Sequence, residues 1–329
     1  MHIPDNYLSP STCVALGAVM LPVWRRAVTR VQEGISKKRL PLLGICSAFS
    51  FLVMMFNVPI PGGSSGHAVG ATLIAILLGP DAAVISITVA TVIQALFFGD
   101  GGILALGANT FNMAFIMPFS GYYTYKLIKG TSESEKRNYL AAFIGSYVGI
   151  NIAALFTAIE FGIQPILFKT VSGLPIYCPY PLKVTIPSML IPHLFIVGML
   201  EGAITAGVYM YIKKLSPEMI YHRELFEKRK LKIKPIYGLV MMMIVLCPLG
   251  LLASGNAWGE WSTEELRSLI GYVPQGMENG FKYSALLADY GLKGLSDAIG
   301  YLFSAIVGVT IIFAITKLIN KAMIVVRNR

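Results

Sequence analysis

Charged residues are scarce in this chain. Asp, Glu, Lys and Arg make up 13% of its 329 residues, against roughly a quarter in an ordinary soluble domain, and hydrophobic residues make up 55%. That balance excludes a soluble globular protein. Cysteine is equally sparse. Cys13, Cys46, Cys178 and Cys247 are scattered and three of them fall within apolar stretches, so neither a disulfide framework nor a Cys-x-x-Cys metal pair is available. No Gly-Lys pair occurs anywhere, which removes a Walker-type ATP site, and there is no His-Glu-x-x-His. Ser64-Ser65 stand close to His67, but no acidic residue lies nearby in sequence to orient the imidazole, so a hydrolytic triad finds no support. The chain is therefore expected to be no enzyme by itself. Its methionines come partly in consecutive runs such as Met241-Met242-Met243, which point to different helix faces and read as packing, not as a copper(I) path.

Long apolar runs are what the chain has in abundance: residues 8–24, 40–57, 68–79, 82–98, 103–125, 139–162, 185–212, 236–253 and 299–319. Most reach the ~17–25 residues that a helix needs to cross a bilayer, so the expected fold is an all-α polytopic membrane protein. The net charge of +10 raises the question of a nucleic-acid partner, and the positions of the charges answer it. Of the 27 Lys and Arg, 22 fall in four clusters, within 25–39, 126–137, 213–234 and 317–329. Placing these on the cytoplasmic side gives nine crossings, an outer N-terminus and a cytoplasmic C-terminus. The basic charge is then a topology signal, and no nucleic acid is expected to bind. The 12-residue run 68–79 would reach only ~18 Å as a helix. It must be buried among longer helices or continued by non-helical backbone lining a cavity.

Composition divides the chain into a seven-helix core over 1–213, a basic cytoplasmic linker over 214–235 and a two-helix extension over 236–329 whose polar outer loop spans 254–298. The opening Met-His-Ile-Pro-Asp lacks the basic start of a secretory signal, and Trp24-Arg25-Arg26 closes the first helix, so no cleavage is expected.

His2 is the residue with the most specific chemistry. A second-position histidine brings three nitrogens within reach of one ion: the terminal amine of Met1, the His2 amide once deprotonated, and the imidazole. They close fused five- and six-membered chelate rings in one plane, a tetragonal nitrogen geometry suited to Ni(II) or Cu(II). A histidine there is otherwise incidental. Two facts favour the chelate. Methionine aminopeptidases need a small second residue, so His2 retains Met1. His67, at the end of Pro61-Gly62-Gly63-Ser64-Ser65-Gly66, falls on the same side of the membrane and offers a fourth nitrogen. Glu160, His193 and Glu201 lie within apolar helices, where ionisable groups are costly and default to functional candidates. For His193 the plainer reading is a helix-to-helix hydrogen bond. A secondary transporter driven by an ion gradient would have to find its coupling site among these three.

The segment Met1-His2-Ile3-Pro4-Asp5-x-Tyr7-Leu8-Ser9-Pro10, together with Pro61 to His67 and Gly107-Ala108-Asn109, resembles the CbiM/NikM substrate-binding subunits of energy-coupling factor transporters for cobalt and nickel. The resemblance covers residues 1 to about 213. Leu252 to Trp261 and Gly271-Tyr272-Val273-Pro274 look like the extended CbiM form. Asn6 stands where the family usually has Gly. The resemblance implies capture of Co(II) or Ni(II) at the outer face of a prokaryotic cell membrane, with ligands from Met1, His2 and His67 and no permanently bound cofactor. It implies a transmembrane coupling subunit (CbiQ/NikQ-like) and a cytoplasmic ATPase pair (CbiO/NikO-like) as partners. By topology, the extension resembles a small accessory subunit encoded separately in some systems. Asp5 is expected to orient an imidazole, and Asn109 and His193 to support the site. Small residues Ala15, Gly17 and Ala18 of the first helix are expected to pack against the coupling subunit.

Overall fold

The computed structural model describes residues 1–35, 39–132, 134–220, 233–253 and 255–327, and residues 221–232 of the basic linker, with His222, lie outside them. Helix α1 (Pro10–Gly34) starts where the sequence permits a clean start. The Ser9 hydroxyl accepts the Thr12 N–H at 3.1 Å, and Pro10 occupies a first-turn position that needs no N–H. The helix runs past the apolar stretch because Ala27 and Val31 keep one face buried as far as Gly34.

Helix α2 (Pro41–Met55) leads into two short antiparallel strands, β1 (Val58–Ile60) and β2 (Ser64–Gly66), a hairpin the apolar pattern does not announce. Gly62 and Gly63 take positive φ at its turn, as a tight hairpin requires. After it come α3 (Ala71–Leu78) and α4 (Pro80–Phe98). Then follow α5 (106–129), α6 (Glu135–Leu167) and α7 (Leu182–Leu215). The extension holds α8 (Lys234–Leu252), the short α9 (Thr263–Ile270) and α10 (Gln275–Glu278), and α11 (Asp297–Arg327).

Five of these are long and apolar enough to cross a membrane: α4, α6, α7, α8 and α11. The other expected crossings fall on α1, on the 15-residue α2, on α3 and on α5. α3 is the expected short piece, trimmed to eight residues and buried along its whole length. It packs against α4, α5 and α6. A helix apolar on every side belongs at the centre of a bundle, and α2 is the same, buried at every position but Pro41. Three π-helical turns, at 94–98, 111–116 and 193–197, interrupt α4, α5 and α7. Such turns often mark functional positions, and these carry Gln94, Asn112 and His193.

Candidate metal site at the N-terminus

The first nine residues form no helix or strand, yet six of them are buried: Met1 is 7% exposed, His2 2%, Ile3 0% and Tyr7 1%, with Leu8 and Ser9 beside them. Buried main chain needs partners, and side chains of the core supply them. Asn109 pairs with Ile3 as another strand would, its Oδ1 accepting the Ile3 N–H at 2.7 Å and its Nδ2 donating to the Ile3 carbonyl at 3.0 Å. Gln164 Oε1 accepts from the Ser9 N–H at 3.0 Å, and the Cys178 N–H donates to the Tyr7 carbonyl at 3.0 Å. The Gly102 N–H also donates to the Ile3 carbonyl, and a side chain at Gly102 would run into Asp5. The glycine loop is thus cut to the shape of the N-terminal segment.

This packing brings His2 against His67, with ring centroids 5.2 Å apart and planes inclined at 33°. His67 donates from Nδ1 to the Ala68 carbonyl at 3.0 Å, which leaves its Nε2 lone pair free. Burial, then the Met1 amine and His2, lower the His67 pKa to about 3, so the ring is neutral and ready to ligate. Nε2 of His2 has no hydrogen-bond partner, and Nδ1 meets Asp100 Oδ1 at 2.6 Å. Burial raises the Asp100 carboxyl, but His2, His67 and Tyr290 together hold it below the ordinary range. The Met1 amine lies 3.6 Å from Glu260 Oε1, and burial keeps Glu260 above its ordinary value, with the amine opposing. Among the described residues, no three His, Cys, Asp or Glu side chains are grouped to hold a metal ion.

The expected residues divide into those that meet and those that do not. Met1, His2 and His67 come together. Asn109 supports the segment through its main chain. Asp5 does not reach an imidazole. Its two oxygens accept the Ile103 and Leu104 N–H groups at 3.0 and 2.7 Å, because the glycine loop turns those amides toward it. The acid beside the imidazole is Asp100. His193 donates from Nδ1 to the Met189 carbonyl at 2.7 Å, and with Met1, His67, Ser65 and Trp258 it lines a cavity of about 20 Å³, room for one water. Ala15 and Ala18 are exposed. Gly17 instead presents its backbone to Gly107 of α5, where a Cβ would collide with it.

Sequence reasoning passed over Asp100, Glu260, Gln164 and Tyr290. Tyr290 donates to Asp100 Oδ2 at 2.6 Å, and Gln94 donates to both, at 3.1 Å to Asp100 and 3.0 Å to the Tyr290 hydroxyl. The available signal for Asp100 was an acid set among Gly99, Gly101 and Gly102 on the face already assigned to His2. The extension also touches the segment directly. Tyr7 donates its hydroxyl to the Trp261 carbonyl at 2.9 Å, and Asn6 exchanges two hydrogen bonds with the Phe281 main chain, at 2.8 and 2.9 Å.

A buried N-terminus facing a second histidine beside a bundle of apolar helices defines a class, multi-pass membrane proteins with a polar site at the N-terminus. The comparisons make it particular. Residues 2–219 match the family model described as cobalt uptake substrate-specific transmembrane region, and residues 234–324 match the PDGLE domain. The chain belongs to the CbiM family, in a form extended by a PDGLE region. It is 48% identical to a probable fused nickel transport protein LarMN of Lactiplantibacillus plantarum, over 96% of this chain and 97% of that one. It is 41% identical to the fused nickel transport protein NikMN of Rhodobacter capsulatus, over 95% of each. Identity to the cobalt transport protein CbiM of Geobacter sulfurreducens is 30%, over 78% of this chain and 72% of that one. A crystal structure titled as a truncated transition metal transporter superposes with a TM-score of 0.62 at 55% identity, covering 65% of this chain and 99% of that one. With its apolar helices, the chain is a multi-pass protein of a prokaryotic plasma membrane.

Proposed function

We propose that this protein is the substrate-binding membrane subunit of an ATP-driven energy-coupling factor importer, and that it captures Ni(II) or Co(II) at the outer face. One observation carries the reading: the terminal amine and two imidazoles are buried together, with Nε2 of His2 left without a hydrogen-bond partner. An orphaned buried nitrogen is costly, and turning the ring so that Nδ1 binds a metal ion gives Nε2 a partner in Asp100. The four donors are the Met1 amine, the His2 amide and Nδ1, and His67 Nε2. Closing a six-membered ring requires His2 Nδ1, which here faces Asp100. Loading therefore includes a half-turn of the imidazole. Asp100 is then the acceptor for Nε2–H, the outer contact that metal-bound histidines use. Nickel is placed first, because planar nitrogen ligation suits it and the relatives that match along nearly the whole chain carry nickel in their names.

The accompanying topology is nine crossings with the N-terminus outside and the C-terminus cytoplasmic. A core over 1–213, a linker over 214–235 and an extension over 236–329 make up the chain. ATP hydrolysis belongs to separate CbiO/NikO-like subunits, joined through a CbiQ/NikQ-like coupling subunit that packs against Ala15, Ala18 and the open side of Gly17. The extension takes the place of a small accessory subunit.

His2→Gln tests the reading, because glutamine is bulky enough to retain Met1 while it removes the imidazole. Nickel binding by calorimetry is expected to disappear because the six-membered ring can no longer close, and unchanged binding overturns the proposal. Alongside it, His67→Ala is expected to weaken binding strongly and His222→Ala to leave it intact.

A further inference from the structure

Glu201 is fully buried in α7 and is used by none of the chemistry above. An ionisable group inside a membrane helix is expensive and calls for a partner. Its partners are main-chain amides of the loop that carries His67. Oε2 accepts from the Val69 N–H at 2.7 Å, and both oxygens accept from the Gly70 N–H at 3.1 Å. These N–H groups precede α3, where a helix start leaves donors without carbonyl partners and favours negative charge. Gly70, at φ +76°, turns the chain there. The loop is pinned on its other side by Ser50 of α2, whose hydroxyl donates to the Val69 carbonyl at 2.7 Å.

The chain from His67 to this anchor is three residues long, and its first residue holds the ring, through His67 Nδ1 and the Ala68 carbonyl. Glu201 therefore fixes where the His67 ring stands relative to the N-terminal segment, although it does not touch the ring. It sits on α7, whose far end carries Lys213 and Lys214, one of the basic clusters read as cytoplasmic.

We infer that Glu201 is a positioning residue for His67, a strut that holds the fourth nitrogen on the bound metal and so slows its release. The inference rests on His67 being a ligand. A carboxyl is the group this position calls for, since it offers two acceptors to two N–H donors. Glutamine would offer one acceptor and turn an NH2 toward a donor.

The test is the nickel dissociation rate of the full-length purified protein, measured by stopped flow against a chelator, for wild type, Glu201→Gln, His67→Ala and the double variant. Glu201→Gln is expected to release nickel about 10-fold faster or more, in the range of outer contacts to metal ligands, and to shift the visible absorption of the bound nickel. In the His67→Ala background the same change is expected to have no further effect, because coupled residues are non-additive. Equal acceleration in both backgrounds, or no acceleration in a folded Glu201→Gln protein, overturns the inference while leaving the ligand set standing. Wild-type binding by His67→Ala alone overturns the ligand set and the strut together. Where Glu201→Gln does not fold, Glu201→Asp replaces it. The shorter carboxyl is expected to give a smaller acceleration that again vanishes without His67, and its persistence there overturns the strut.

Discussion

The N-terminal segment is held on one side by the helical core and on the other by the extension, and the two grips differ in what water can replace. On the core side, the Asn109 pair with Ile3 and the Gln164 bond to Ser9 are fully buried. On the extension side, both Asn6 bonds to Phe281 are exposed and the Tyr7 bond to Trp261 is only partly buried. A buried group that loses its partner pays its full desolvation, whereas an exposed one recovers a bond from solvent. The core thus sets where the segment lies. Around residues 6 and 7 the extension closes over it with contacts that can open at small cost, whereas its Glu260 meets the buried Met1 amine at 3.6 Å.

The comparison breaks most visibly at Asn109. Asn109→Ala strands the Ile3 N–H in a dry interior, at about 1–3 kcal/mol, and leaves the Ile3 carbonyl with the Gly102 N–H alone. Nickel affinity by calorimetry is expected to fall by about 10–100-fold, the range for outer contacts to metal ligands. A smaller effect is expected from Tyr290→Phe. Tyr290 belongs to the extension but is buried, and its hydroxyl donates to Asp100 at 2.6 Å. Losing a hydrogen bond to a charged group predicts a drop of roughly tenfold. Should it match Asn109→Ala, burial and not membership of core or extension is what separates the two grips.

Much of this was legible in the sequence. Apolar runs gave the helices, and the second-position histidine and the glycine loop before His67 pointed to the site. The rest depended on distance along the chain. Asp100 and Tyr290 are 190 residues apart, and Asn109 and Ile3 are 106 apart, so nothing local joins them. Asp5 is expected to orient an imidazole because metal-bound histidines usually have such an acceptor, but its carboxyl answers two loop amides instead. The hairpin at 58–66 was missed because flanking apolar residues extend the helical pattern to residue 57, and its strands are three residues each. The helix start at Ala71 and not at 68 reflects Glu201, which takes the Val69 and Gly70 amides.

Asn6 gives the smallest and most discriminating effect. It has φ +67°, in the left-handed region that Asn tolerates and Gly enters freely. In this chain the asparagine also makes two exposed bonds to Phe281. Asn6→Gly relieves backbone strain and gives up bonds that water replaces in part, so the two terms oppose, each about 1 kcal/mol or less. Nickel affinity is expected to stay within about threefold of wild type. Asn6→Ala loses the same bonds and keeps a Cβ at positive φ, where a left-handed residue costs roughly 1–2 kcal/mol. It is expected to be the weaker binder of the two. If glycine and alanine weaken binding equally, the bonds to the extension matter and the strain does not, and the extension grips the segment more firmly than its exposure implies. If alanine alone weakens it, the backbone turn at residue 6 positions Met1 and His2, and the core keeps control of the site.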